Sequence, residues 1–472
     1  MAKTFFFYDL ETSGLNPRSQ RVMQFAGQRT DMNLNPIGEP IDVLVKLSED
    51  ILPEPYAILV TGTTPQKTLQ DGISEPDFVK MFTEDVATPD TIMVGFNTVR
   101  FDDEFMRHTL WRNFYDPYEW SWSEGRSRWD MRDVVRMTRA LRPDGINWPV
   151  NEEGEPVNKL ELLSKANNLE HEHAHDALSD VEATIGVAKL IRQKQPKLFE
   201  WLLRNRDKKE VAKVVNLDDP KPFVYSSGRY GRECNFTTIA IPIALGSRPG
   251  SIIVYDLRYD PSDFSNLTSE DIKQRIFANY ETRKTEGFQK IPVKELVFNK
   301  CPAVAPLGVM SEASWENINL TQALIEKHLK VLNQDFADKV AAAYADRPAF
   351  EKSLDVEEQL YDGFVDDKDR KRMDIVRKSS EQELADFHPQ FADERLPELL
   401  LRYKARWFSK SLSQDEQLAW ENYRQTKLQA NALKYQELIA DLLSSHQEKN
   451  DQFLLEELRL WLEYIAPLDL ES

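Results

Sequence analysis

Asp9 and Glu11 stand two residues apart at the end of an apolar run, FFFYDLET (5–12). A strand alternates its side chains between two faces, so both carboxylates project together if the strand runs through Glu11. Two buried like charges push each other toward protonation unless a cation lies between them. Hard oxygen ligands suit Mg²⁺ or Mn²⁺. A second arrangement fits the same letters: the strand stops at Tyr8, and both acids are solvated turn residues ahead of Ser13 and Gly14.

Two later stretches carry acids in comparable settings. DTIMVGFN (90–97) reads as a strand bounded by Pro89 and Asn97, and it leads to Phe101, Asp102, Asp103 and Glu104 at the start of a helical pattern. Asp102 suits a helix N-cap, and an Asp at the mouth of a strand can also face a metal. In HEHAHDALSDVEATIGVAKLI (171–191), His175 stands just before a helix that begins near Asp176, and Asp180 lies one turn in. An acidic first turn also complements the helix dipole without any metal. His171 and His173 read as loop residues, because no cysteine lies nearby and the surrounding acids favour a harder metal than zinc.

From Arg100 to Arg142 the chain holds nine arginines, no lysine and four of its ten tryptophans. Guanidinium groups fork onto phosphates and aromatic faces stack on unpaired bases, which is the chemistry of a single-strand groove. The same stretch holds eight acids. Ion pairs and core tryptophans in a packed helical subdomain account for the composition equally well.

Together, Asp-x-Glu on the first strand, Asn-x₃-Phe-Asp in the middle and His-x₄-Asp on a late helix form an ordered set within about 180 residues. The set resembles the DEDDh family of 3′→5′ exonucleases, which have an RNase H-like fold. The resemblance implies two Mg²⁺ ions, replaceable by Mn²⁺, held by Asp9, Glu11, Asp102 and Asp180, with His175 as general base and Glu11 also touching substrate. GFNTVRFDDEFMRHTLWRNFYDPYEWSW (95–122) and ALRPDGINWP (140–149) are similar, more narrowly, to the bacterial exonuclease I family, and this likeness spans nearly the whole chain. It implies processive 3′→5′ hydrolysis of single-stranded DNA to 5′-mononucleotides in DNA repair and recombination. It also implies an RNase H-like exonuclease domain, an SH3-like β-rich domain and a C-terminal α-helical domain, curved around the strand.

By position in these motifs, Arg107, Tyr118, Trp122 and Arg136 are strand-contacting residues. Lys159 stands where an arginine is expected, which keeps the charge and loses the fork. Leu10 and Ser13 replace aromatics of the first motif, so stacking of the terminal nucleotide is expected to differ. The implied partner is the acidic C-terminal tail of the single-stranded-DNA-binding protein, with Arg142 either its contact or an ordinary surface arginine. Two alternatives compete. An RNA-trimming or proofreading exonuclease of the same superfamily needs little beyond the nuclease domain, and a non-catalytic single-strand-binding clamp does not need the five catalytic residues intact.

The elements that must position these groups follow from the texture of the chain. Residues 1–195 alternate strand-like segments, such as VMQFAGQR and IDVLVKL, with helical ones such as DEFMRHTLWRNF, which implies an α/β domain. Residues 196–348 carry TTIAIPIALG, GSIIVYDL and KIPVKELVFN between Gly-containing turns, then helices at SEDIKQRIFANY and near 313–345: a small β-rich domain. Over 349–472 the strands stop, and QDEQLAWENYRQTKLQANALKYQELIADLL has helical periodicity without internal Gly or Pro.

At 472 residues the chain exceeds one ordinary core, and 41% hydrophobic content excludes wholesale disorder. No apolar run reaches the ~18 residues of a membrane span, and no signal peptide is read at the N-terminus. Two cysteines, Cys234 and Cys301, suit a reducing bacterial cytoplasm better than a disulfide framework. The formal net charge of -19 lacks the basic footprint of a general nucleic-acid binder. Screening beyond ~8 Å still allows a local basic groove to hold a phosphate backbone. Nothing calls for an oligomer, and a monomer is expected.

Overall fold

The computed structural model describes residues 2–169, 176–348 and 352–465. A first sheet has five strands: β1 (Thr4–Thr12), β2 (Val22–Thr30), β3 (Ile41–Leu44), β4 (Thr91–Gly95) and β5 (Ser127–Asp130). Their order is β3-β2-β1-β4-β5. β2 is antiparallel to β1 and β3, while β4 is parallel to both β1 and β5. The sequence pattern does not single out β5, because SRWD offers only one large apolar residue; its register comes from β4, with Val94 opposite Trp129.

β1 is buried on both faces. Phe5 and Phe7 enter a core with Val181 and Ile185 of a helix at Ala177–Lys194, while Phe6, Tyr8 and Leu10 enter a second core with Phe25, Phe78 and Phe82. Two-sided burial carries the strand past Tyr8, and its pairing with β2 continues through Glu11 opposite Gln24. The solvated-turn arrangement therefore fails. Asp9 and Glu11 are strand residues on the Phe5 and Phe7 face.

A second sheet is antiparallel throughout, in the order β10-β6-β7-β8-β9. Its strands are β6 (Phe223–Ser226), β7 (Thr237–Leu245), β8 (Ser251–Asp256), β9 (Val293–Val297) and β10 (Ala303–Pro306). β6 and β10, four residues each, escape sequence patterning, whereas the three longer strands follow it. Val224, Ile239 and Ile253 share one core with Val134 and Met137 of the helix Met131–Leu141, so the two sheets are fused through that helix.

Residues 352–465 are helical. The helix at Gln414–Ser445 runs 32 residues behind a capping box of Ser413 and Glu416, as its uninterrupted periodicity requires. It and the next helix, Lys449–Ile465, pack back onto the first domain: Leu428 and Ile439 of the one and Trp461 of the other share a core with Met23, Leu47, Ile51 and Ile58. Where these parts meet, buried charges alternate. Arg21 pairs with Glu357 at 2.7 Å, Glu357 with Arg406, Arg406 with Asp50 at 2.7 Å, and Asp50 with Lys427 at 2.7 Å. Among the described residues no helix is long and apolar enough to cross a membrane. Cys234 and Cys301 are buried and unpaired.

Candidate active site

Alternation along β1 turns Asp9 and Glu11 toward the helix Ala177–Lys194, labelled α1 here, which packs on that face. Asp176 caps α1 by accepting from Ser179 N at 3.2 Å. Asp180 lies in its first turn. One carboxylate oxygen from each of Asp9, Glu11 and Asp180 lies within 4.8 Å of the others. Glu11 is buried, while Asp9 and Asp180 keep part of their surface open, so the cluster is reachable from solvent.

Asp102 arrives from the neighbouring strand. β4 ends at Gly95, and the Leu10 N–H beyond that end donates to Asp102 Oδ1 at 3.2 Å. A Cβ at Gly95 would meet Thr98 Cγ2 at 2.0 Å and the Tyr8 carbonyl at 2.8 Å, so glycine lets the turn after β4 fold tightly against β1. The N-cap role open to Asp102 is not realised: Phe101 holds the N-cap of the helix Asp102–Arg112, and no side chain caps it. The adjacent Asp103 is spent elsewhere. It accepts the Tyr8 hydroxyl at 2.5 Å and pairs with the buried Arg128.

The electrostatics follow from this packing. Burial, then the charges of Asp102, Glu11 and Asp180, hold Asp9 well above the usual carboxylate range. Glu11 is pushed up to about 8 by burial, then by Asp180, Asp102 and Asp176. Asp102 is pushed up to about 8 chiefly by burial, with Asp103 and Asp130 adding to it against the backbone hydrogen bonds it accepts. Among the described residues no basic side chain pairs with Asp9 or Glu11. Mutually repelling hard oxygens are the donor set of a divalent cation, and Asp9, Glu11 and Asp180 are close enough to share one. His175 lies outside the described residues, as do His171 and His173.

The arginine-rich stretch divides. Trp111, Trp120 and Trp129 are core residues, and Trp122 alone is 66% exposed. Arg112 pairs with buried Glu75 at 3.1 Å, and Arg139 donates to the carbonyls of Pro149 and Val157. Packing thus accounts for most of the composition. Arg107 pairs with Glu104 at 2.8 Å and lies 5.7 Å from the Tyr118 ring. Tyr361 and Phe364, which sequence reasoning missed, complete that cluster: Tyr361 donates to Glu104, both rings lie against Tyr118, and Phe364 is 84% exposed. No local signal marks them, because they arrive from the helical region.

The remaining candidates lie in other settings. Arg136 pairs with Asp133 at 2.5 Å and lies over Phe236. Lys159 is exposed, 3.4 Å from Glu161. Arg142 donates to Leu141 O at 2.6 Å, Val309 O at 2.7 Å and Ser314 Oγ at 3.2 Å, tying the first domain to the second. Leu10 is buried in the core, and Ser13 is buried with its hydroxyl donated to Gln20 and accepting from Arg21 N.

Comparison with known proteins assigns all three units. The Exonuclease family model matches residues 6–188, the Exonuclease I SH3-like domain matches 206–346, and the Exonuclease I C-terminal domain matches 354–465. The chain is 38% identical to Exodeoxyribonuclease I of Haemophilus influenzae over 96% of each chain. E. coli Exonuclease I in complex with a dA16 oligonucleotide has a TM-score of 0.95 at 37% identity, covering 98% of this chain and 100% of that one. The zinc-bound form of an E. coli Exonuclease I–single-stranded-DNA complex has a TM-score of 0.94 at 36% identity, with 98% and 100% covered. The first sheet with its helices is an RNase H-like exonuclease domain, the second sheet an SH3-like domain, and the rest a C-terminal helical domain. With three family domains in order and a full-length relative above one-third identity, the chain belongs to the exonuclease I family and is an exodeoxyribonuclease.

Proposed function

We propose that this enzyme removes 5′-mononucleotides processively from the 3′ end of single-stranded DNA, in DNA repair and recombination, with two Mg²⁺ ions and His175 as general base. The observation that carries the reading is the convergence of Asp9, Glu11 and Asp180 within 4.8 Å, with Asp102 beside them on the Leu10 amide. These four carboxylates hold the ions, and Mn²⁺ offers the same hard chemistry. Divalent cations held by these carboxylates would supply water activation and charge stabilisation for phosphodiester hydrolysis. His175 directly precedes the α1 cap Asp176. An imidazole with an ordinary pKa near 6.5 takes the attacking water's proton around neutral pH.

Glu11 and Lys159 hold the terminal nucleotide. Arg107, Tyr118, Trp122 and Arg136 hold the strand behind it. The oligonucleotide and zinc in the E. coli complexes support a single strand and a divalent ion as ligands here. The domain limits 1–195, 196–348 and 349–472 suit the matched family segments. A cytoplasmic monomer is proposed, with the acidic tail of a single-stranded-DNA-binding protein as partner and Arg142 as its candidate contact.

A time course on 3′-ended single-stranded DNA, duplex DNA and RNA, with and without Mg²⁺, tests the reading. Mononucleotide release from the single DNA strand, only with the metal, is expected. Equal loss of RNA, or full activity in excess chelator, overturns it.

A further inference from the structure

The SH3-like domain carries a cleft of about 750 Å³, away from the hydrolytic carboxylates. Its charge runs against that of the chain. The formal net charge is -19, yet the cleft is lined by seven arginine and lysine residues against three acidic ones. Two of those acids are already satisfied. Asp256 is clamped by Arg258 at 2.7 Å and accepts from Thr238 Oγ1. Glu295 accepts from Ser247 and Ser251 and lies 3.8 Å from both Arg248 and Arg347.

Arg229, Arg283, Lys290 and Lys294 are left with no carboxylate at ion-pair distance among the described residues. They act on one another instead. Burial, then Arg283 and Arg229, hold Lys290 below the usual lysine range. Lys294 is lowered by burial and by Arg100, Arg229 and Arg136, against the attraction of Asp133. It donates to Ser227 at 2.6 Å and lies over the Tyr225 ring.

A second observation is independent of charge. Tyr230 lines the cleft at 7% exposure, and its buried hydroxyl has no hydrogen-bond partner. A buried polar atom in that state is stabilised by a ligand that supplies the missing bond. Tyr259, Phe277 and Phe288 add aromatic faces to the same walls. The cleft also abuts the exonuclease domain. Gly228, next to Arg229, lies so close to Arg136 that a Cβ would come within 2.6 Å of Nη2.

Unpaired cations beside aromatic faces match a phosphate joined to a base. We propose that this cleft is a second nucleotide-phosphate site, formed by Arg229, Arg283, Lys290 and the Tyr230 hydroxyl. The proposal rests on the exonuclease reading for its two possible sources of ligand, the strand behind the cut and the released mononucleotide.

The test uses the full chain in chelator, which stops hydrolysis. Arg229→Ser with Lys290→Ser removes two cationic side chains, and Tyr230→Phe removes only the unpartnered hydroxyl. Affinities for dT20, dT4 and dTMP are measured across a range of salt. With the strand as source, the double variant binds dT20 about tenfold more weakly, its salt slope falls by about two, one for each lost phosphate contact, and dT4 is unchanged. With the mononucleotide as source, dTMP affinity falls at least about tenfold in the double variant and falls measurably in Tyr230→Phe, while dT20 is unchanged. Unchanged affinity for both dT20 and dTMP, with an unchanged salt slope, overturns the site. Hydrolysis of dT20 by the unaltered protein in Mg²⁺, run alongside, reports on the exonuclease reading separately.

Discussion

The protein buries carboxylates in two places and treats them in opposite ways. At the α1 face, Asp9, Glu11 and Asp102 are raised by burial and by neighbouring carboxylates. Where the helical domain docks, Asp50 and Glu357 are as deeply buried, yet Arg406 and its basic neighbours hold both well below the usual range. Burial alone therefore says little about role. The presence of a protein counter-charge separates acids that lock a fold from acids that await a ligand.

The contrast can be broken most severely by chemistry. Asp180→Ala is expected to lower mononucleotide release by at least about 10³-fold while leaving single-strand binding largely in place; undiminished turnover would refute the metal site. Next comes stability. Glu357→Ala strands Arg21, while Arg406 keeps Asp50, and should cost about 3–5 kcal/mol, read from the urea midpoint. Asp9→Asn relieves repulsion and should raise the melting temperature in chelator. Shifts of the same sign in both variants would erase the distinction between the clusters.

A pH series sharpens the same point. Glu11 moves from 4.5 in an unfolded chain to about 8, and Asp102 from 3.8 to about 8. A raised acid contributes stability that is full below its unfolded pKa and is lost as pH rises through the folded one. Metal-free protein should thus become markedly less stable between pH 5 and 9, and Mg²⁺ should flatten the curve. Asp50 and Glu357 are depressed, so their contribution holds across that window and is lost only at acid pH. The smallest effect is expected at the groove. Trp122→Ala should weaken single-strand binding by about 1–3 kcal/mol in an anisotropy titration, with little change at saturating substrate.

The acids at the α1 face were legible because local rules place them. Period-two alternation aims Asp9 and Glu11 one way, and the helix start after His175 fixes Asp180. Which of Asp102 and Asp103 serves the site was less evident, because the answer lies in Arg128, 25 positions on, which neutralises Asp103. The four-residue strands β5, β6 and β10 were missed because a strand that short borrows its register from a neighbour. Tyr361, Phe364 and the Arg21–Glu357–Arg406–Asp50 series join segments more than 200 positions apart, where periodicity carries no information.

Arg21 has a consequence beyond its own ion pair. Its backbone amide donates to Ser13 Oγ, on the turn just past Glu11, and its guanidinium ends on Glu357. One residue therefore bolts the hydrolytic strand to the far end of the chain. A shortened protein lacking the last third would strand that guanidinium and bare Met23, Leu47, Ile51 and Ile58 to water. The nuclease is no cassette to be cut out and transplanted, and engineering of this enzyme has to begin from the entire polypeptide.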